Sequence, residues 1–428
     1  MFQTIRNAWK VEDIRKKIVF TLFIILLYRL GNSVPVPYVN TALLSEYFSQ
    51  MQNTVLGLYN VMSGSSFSQA TIFALSIQPY INASIIIQLL CIAIPALERL
   101  TKDGGEEGKN KIERITRYTT VGLGLLQGFA YFVLLRNNNF LTDAGSGVWA
   151  AIVIIFTFTA GSTLLMWMGE QITEFGIGNG ISMILFISIV SRFPNQIYSM
   201  ISNVAANPST WWVTVLMILG ARAIIILIII VTNAERRIPV QYSKRVVGRK
   251  QYGGQSTHLP MKVNMSGVLP VIFAQSIASL PATVAAFVPK WSDGWFIKLF
   301  NTDGVTYIVI YFLLIIFFSY FYSTIQFNPI EVANNLKKNG GFIPGFRAGK
   351  PTSEFIQKVL NKITMFGAIY LAIIAIVPLI ISACSPTARS SGVSLGGTSV
   401  IIVVGVALET VKALESQMLM RHYKGFLE

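Results

Sequence analysis

Apolar runs of about twenty residues alternate along the chain with short polar connections. The run at 148–168, VWAAIVIIFTFTAGSTLLMWM, carries no charge, and a helix needs roughly 20 such residues to cross a bilayer. Stretches of this kind at 18–32, 74–94, 116–135, 148–168, 180–199, 211–233, 266–288, 304–327, 365–383 and 398–414 predict ten membrane-spanning helices. Two of them are irregular. SIQPYINASIIIQLL (76–90) sets Gln78, Pro79, Asn82, Ser84 and Gln88 among isoleucines, and SGVLPVIFAQSIASLPATV (266–284) carries Pro270, Gln275, Ser276, Ser279 and Pro281. Polar groups left bare in hydrocarbon are costly, so neither stretch faces lipid on all sides. Ten spans divide into five and five, and the odd number inverts one half relative to the other. That is the arithmetic of an inverted repeat, whose functional site lies between the halves. The division predicts an N-terminal half over 1–200 and a C-terminal half over 201–428. In each half the second span is the irregular one. Small polar residues also let helices pack closely, but their matched placement favours a pathway.

The connections add detail. Residues 33–73 include VLGLYNVMSGSSFS (55–68), too rich in small and polar residues to span. A short re-entrant helix is predicted there, allowed at membrane depth only when sheltered by protein or lining a wet cavity. Residues 97–117 form a mixed-charge loop with a glycine-rich turn, and 234–265 and 327–364 are two large basic loops.

Composition supports the same class. Only 12% of the 428 residues are charged, against about 25% in soluble domains, and 53% are hydrophobic. The first apolar run, 18–28, ends at Tyr28-Arg29 without a small-residue cleavage site, which reads as a retained span. The net charge is +15, and its placement is lopsided: 27 of the 34 Lys and Arg fall on one side of the predicted spans and five on the other. The positive-inside rule then puts both termini of a multi-pass protein in the cytoplasm. RRIPVQYSKRVVGRK (236–250) packs six positive charges into fifteen residues, and LKKNGGFIPGFRAGK (336–350) projects a turn around Arg347 with Phe342, Ile343 and Phe346 at its tip. Two readings stay open for these loops. One is ordinary charge bias met by anionic lipid. The other is docking of a large acidic or polyanionic partner, with charge for steering and apolar tips for grip.

Catalysis finds little support. Cys91 and Cys384 are isolated and sit in or beside apolar runs, and His258 and His422 are the only histidines. This pattern argues against a metal site or a His-assisted triad. No G-x-x-x-x-G-K-[ST] loop occurs, so no nucleotide or other cofactor is expected and the chain reads as no enzyme. Glu170, Glu174 and Glu409 sit near span ends, whereas ion-coupled pumps carry ionisable groups deep in the membrane. Arg222, halfway along 211–233, is the one costly charge. It needs either a neighbouring helix or a wet groove.

Several long stretches are similar to one family. PYINASIIIQLL (79–90), LMWMGEQITEFGIGNGIS (165–182), GGQSTHLPMKVNMSGVLPVIFA (253–274), NPIEVANNLKKNGGFIPGFRAGK (328–350) and GGTSVIIVVGVALETVKALESQ (396–417) resemble the SecY family of protein-translocase channels. The resemblance runs over essentially the whole chain. It implies an all-α membrane fold with an hourglass pore between two inverted five-helix halves, and a short plug helix. The pore would open across the membrane for secreted chains and sideways into lipid for signal sequences and membrane segments. By motif match, the implied pore ring is Ile77, Ile81, Leu185, Ile272, Val284 and Ile402. Ile272 and Val284 are twelve residues apart, so sharing one level requires a break in the helix, such as one at Pro281. The implied plug includes Tyr59, Asn60, Met62, Ser63, Gly64, Ser65, Ser66 and Phe67. The implied lateral gate lies between 79–92 and 267–281, with Asn82, Ser84, Gln88, Gln275, Ser276 and Ser279 at its seam. Arg249, Lys250, Lys337, Lys338, Arg347 and Lys350 would meet the SecA motor ATPase or the ribosome. Ala348 stands where the family turn reads proline. SecE-like and SecG-like subunits, signal sequences, nascent polypeptides and anionic lipids are the further implied partners, and the bacterial cytoplasmic membrane is the implied location. An inverted-repeat secondary transporter for a small solute is the alternative.

Overall fold

The apolar runs form helices, and polar residues set several of their edges. The computed structural model describes residues 2–50, 55–102, 104–206, 208, 211–242, 245–247, 250–252, 256–265, 267–287, 304–384 and 397–424. An amphipathic helix α1 (Phe2–Lys10) leads into α2 (Glu12–Gly31), which has Glu12 and Asp13 in its first turn. Carboxylates there offset the positive end of the helix dipole. Next come α3 (Thr41–Gln50), the short α4 (Val55–Met62), α5 (Gln78–Ala93), α6 (Pro95–Lys102), α7 (Gly105–Asn137), α8 (Val148–Phe175), α9 (Gly180–Val190), α10 (Phe193–Ala206) and α11 (Trp211–Asn233). Asn179 caps α9 by accepting from the Ser182 N–H, the interaction that makes Asn a preferred N-cap. The fifth predicted span is therefore two helices. Pro194 accounts for the interruption, because it has no N–H to continue the ladder from α9.

After α11 the chain makes strands β1 (Glu235–Tyr242), β2 (Arg245–Val247), β3 (Lys250–Tyr252) and β4 (Ser256–Lys262). Helices α12 (Leu269–Phe287), α13 (Val305–Gln326) and α14 (Pro329–Lys338) follow, then β5 (Gly341–Phe342), α15 (Lys350–Cys384) and α16 (Gly397–Lys424). All ten predicted spans thus fall on helices. Among the described residues seven helical segments are long and apolar enough to cross a membrane, with α9 and α10 taken together as one of them and α13 running on through α14, and an eighth is obtained if α5 and α6, bent by 105° at their junction, count as one broken span. Most of the two flanking loops is also regular. The mixed-charge stretch is α6 and the charged start of α7, and the second basic loop is α14, β5 and the start of α15.

Strand β1 lies antiparallel between β4 and β5, so the two basic loops are joined in one small sheet. Its alternate residues Ile238 and Val240 are buried with Met261, Ile343, Ile356 and Leu360. A second, much larger apolar core runs through the spanning helices and includes residues of α2, α5, α8, α9, α12, α13, α15 and α16. A third gathers Leu44, Phe48, Phe67, Tyr131, Leu135 and Phe158 around the chain leading from α4 to α5.

That irregular chain can lie deep only because α8 makes room for it. A Cβ on Gly161 would stand 1.9 Å from the Ile72 carbonyl oxygen. Gly161→Ala is expected to destabilise the purified protein by about 1–3 kcal/mol, read as a lower melting temperature in detergent. Gly122→Ala, whose Cβ meets nothing within 4 Å, serves as the control and should melt no lower than the parent, since Ala favours a helix over Gly.

Candidate functional site

The large core holds most of the branched aliphatic side chains implied for a pore ring. Ile77 is fully buried at the N-cap of α5, and Ile81 follows one turn later with its N–H on the Ile77 carbonyl. Leu185 on α9, Ile272 on α12 and Ile402 on α16 are buried in the same cluster, as is Met62 at the end of α4. Five of the six residues implied for a pore ring therefore belong to this one core. Val284 stands apart. The backbone is helical from Leu269 to Phe287 straight through Pro281, so the break that a common level requires is absent. Twelve helical residues put Val284 about 18 Å along the axis from Ile272.

Met62 joins the irregular helices. Its Sδ accepts from Gln78 Nε2 of α5 at 3.2 Å and from Gln275 Nε2 of α12 at 3.1 Å. The rest of the implied plug is a self-bonded knot. Asn60 Oδ1 accepts from the Ser68 N–H at 3.0 Å, and Ser63 Oγ accepts from the Phe67 N–H at 3.1 Å. Ser65 donates its N–H to the Asn60 carbonyl, and the Ser66 hydroxyl is buried without a partner. Tyr59 packs against the Phe67 ring, which stacks on Tyr131 at 4.4 Å, and the Tyr131 hydroxyl donates to the Phe67 carbonyl. Gly64, at φ +67°, rests on the end of α9 at Ser188 and Ser191. Ser65, Ala70 and Ser76 also hold positive φ between α4 and α5, a conformation that is strained for residues with a Cβ.

The implied gate residues divide. Gln275, Ser276 and Ser279 on α12 are buried, whereas Asn82, Ser84 and Gln88 on α5 are half-buried. Gln88 donates to Ser84 at 3.3 Å, and both line a cavity of about 1230 Å³ with Tyr80, Glu98, Arg117 and Glu170. Arg117 and Glu170 pair across it at 2.9 Å. Toward the first half, α12 packs chiefly on α4 and α7. The seam expected between α5 and α12 is therefore reached through Met62 and α7, and Ser84 and Gln88 point to the cavity instead. Helix α7 was not among the predicted gate elements. The apolar residues that place it beside α12 gave no polar signal.

The basic loops also separate into parts. Arg347 is exposed, and its carbonyl accepts from Thr352 Oγ1 at 2.7 Å, which ties the tip to the start of α15. Gly349, at φ +104°, supplies the reversal beside Ala348. Lys337, Lys338 and Lys350 are exposed on helix ends around it. Phe346 stacks on Phe355 at 4.2 Å and remains partly exposed with Phe342, but Ile343 is only 2% exposed and belongs to the sheet's core. Ile343 is not an available tip residue, because the pairing of β5 with β1 draws it inward. Arg249 lies outside the described residues, and Lys250 opens β3. No group of three His, Cys, Asp or Glu able to hold a metal occurs among the described residues.

This arrangement has known counterparts. Residues 71–411 match the family model described as SecY. The chain is 44% identical over 443 residues to a protein translocase subunit SecY of Streptomyces scabiei, covering all of both sequences. Its fold is similar to a structure described as a protein conducting channel, with a TM-score of 0.68 at 16% identity, covering 94% of this chain and 92% of that one. It is also similar to Sec61 in the canine ribosome-channel complex from the endoplasmic reticulum, with a TM-score of 0.64 at 15% identity and the same coverage. With the family model covering most of its length and a full-length relative this close, the chain belongs to the SecY family.

Proposed function

We propose that this protein is the channel subunit of a protein translocase, which passes secretory polypeptides across the membrane and releases apolar segments sideways into lipid. The observation that carries the reading is that Ile77, Ile81, Leu185, Ile272 and Ile402 are buried in one core together with Met62, and we read them as the girdle of a pore. Branched aliphatic side chains make a narrow, deformable constriction that sheds water around a passing chain without selecting a sequence. The girdle draws on α5 and α9 from residues 1–200 and on α12 and α16 from 201–428, as expected if those segments are two halves that part around the client. Helix α4 and the turn after it act as the plug, and α12 with α4, α5 and α7 forms the gate. The comparisons lend no support to the secondary-transporter alternative.

The channel has no chemistry of its own in this reading and takes its energy from partners. Arg347, Lys337, Lys338 and Lys350 offer an exposed cationic face to a ribosome or a SecA-like motor, and the family resemblance implies the same role for Arg249 and Lys250. RNA phosphate and acidic protein surfaces both suit it. SecE-like and SecG-like subunits complete the complex. The charge bias supports a cytoplasmic position for this face and both termini, and the bacterial relatives support the bacterial cytoplasmic membrane as the location.

Three outcomes test the proposal. Arg347→Glu is expected to lower motor-driven export into reconstituted vesicles about tenfold, a cost of about 1.4 kcal/mol, while the protein inserts normally; undiminished export would remove Arg347 from the docking face. Cysteines replacing Gln78 and Gln275 in a chain lacking Cys91 and Cys384, joined by a short bifunctional reagent, should block passage of a secretory precursor. Unhindered passage through the joined form would place the route elsewhere. Met62→Leu keeps the volume but leaves two buried amides without their acceptor, at about 1 kcal/mol each, and should raise resting ion conductance in planar bilayers. A conductance equal to the parent's would show that the sulfur does not help hold the channel shut.

A further inference from the structure

Helix α11 is the least covered of the apolar helices: 11% of its most apolar window is buried, against 61% for α16. Its covered side is a stripe at helical spacing, with Ala221 and Ile224 half-buried and Ile228 and Val231 buried. Arg222 lies one residue beyond Ala221, about 100° round the helix, and is exposed. Its neighbours one turn away on the same face, Ile218, Leu219, Ile225 and Ile226, are all exposed as well. Among the described residues no ion pair or hydrogen bond reaches its guanidinium.

Depth makes this charge hard to leave alone. Arg222 has eleven residues of α11 on either side, so it sits about 16 Å from both helix ends at 1.5 Å per residue. That exceeds what snorkelling of an arginine side chain can cover. Among the described residues the face around it is isoleucine and leucine rather than a polar groove. A second copy of the chain is a poor occupant. Two α11 faces would bring two arginines together, and Glu170, Glu174 and Glu409 lie near span ends rather than at mid-depth.

We infer that the outward face of α11 is the seat of a membrane helix from another protein, one that carries an Asp or Glu at mid-depth to pair with Arg222. The isoleucines supply packing and the charge supplies register, because a single buried ion pair fixes how two otherwise uniform apolar helices align. The inference rests on α11 spanning the membrane and is independent of the channel reading.

The test places benzoylphenylalanine at Ile226 in the full chain, in membranes of the producing cells. Irradiation should yield one discrete protein adduct, and peptide mass spectrometry should place the link in an apolar span within a turn of an Asp or Glu. Arg222→Leu should cut the adduct about tenfold, the ratio that about 1.4 kcal/mol of coupling produces. Arg222→Lys should retain it, and both variants should accumulate like the parent. The same probe at Leu313, exposed on α13, should be indifferent to either substitution. Adducts only with lipid, within the chain or with a second copy would overturn the inference. So would a partner span without a carboxylate, or an adduct insensitive to Arg222→Leu.

Discussion

A non-helical chain inside a membrane must have its backbone groups satisfied by protein, because lipid offers no hydrogen bonds. The stretch between α4 and α5 meets this condition piece by piece. The N–H groups of Val36 and Ile72 donate to the carbonyls of Ala70 and Val34, the side chains of Asn60 and Ser63 take the N–H groups of Ser68 and Phe67, and Tyr131 donates to the Phe67 carbonyl. The surrounding helices are arranged to allow it. Gly161 gives way to Ile72, and Ser188 and Ser191 receive Gly64. Without that shelter α4 could not lie against α9 and α12, and the aliphatic girdle would have no cover.

The contacts that close the girdle are weak ones. A thioether is a poor acceptor, yet Met62 takes two amides, and Gln275 keeps a buried oxygen with no partner. Three left-handed residues without the freedom of glycine add strain to the plug at Ser65 and to the chain behind it at Ala70 and Ser76. Under the proposed function these features belong together. A closed state held by soft, replaceable contacts costs little to leave, and an apolar client segment compensates what is lost.

Much of this was legible in the residues, and the remainder failed for identifiable reasons. The spans followed from apolar run length, and the short helix at 55–62 from its small and polar residues. Ile77 and Ile81 share a helical face by spacing alone. The direction of Ser84 and Gln88 was not legible, because a polar residue on a buried helix points either to a neighbour or to a cavity, and only the packing of α7 decides. The alternation of Ile238 and Val240 did signal a strand, but the charges around it drew attention to the loop's surface. Ile343 was misjudged for the same reason. Its place depends on pairing between loops a hundred residues apart. The break before Phe193 is marked in the sequence by Pro194, set within a largely apolar run.

The small sheet has a mechanical consequence. Strand β1 continues directly from α11, β4 leads into α12, and β5 links α14 to α15. Because β1 pairs with both β4 and β5 over a shared apolar core, the two basic loops form one handle rather than two loose straps. A load applied at Arg347 is passed through Thr352 to α15 and across the sheet to α12. Whatever grips that handle has leverage on the same helix whose Gln275 holds Met62.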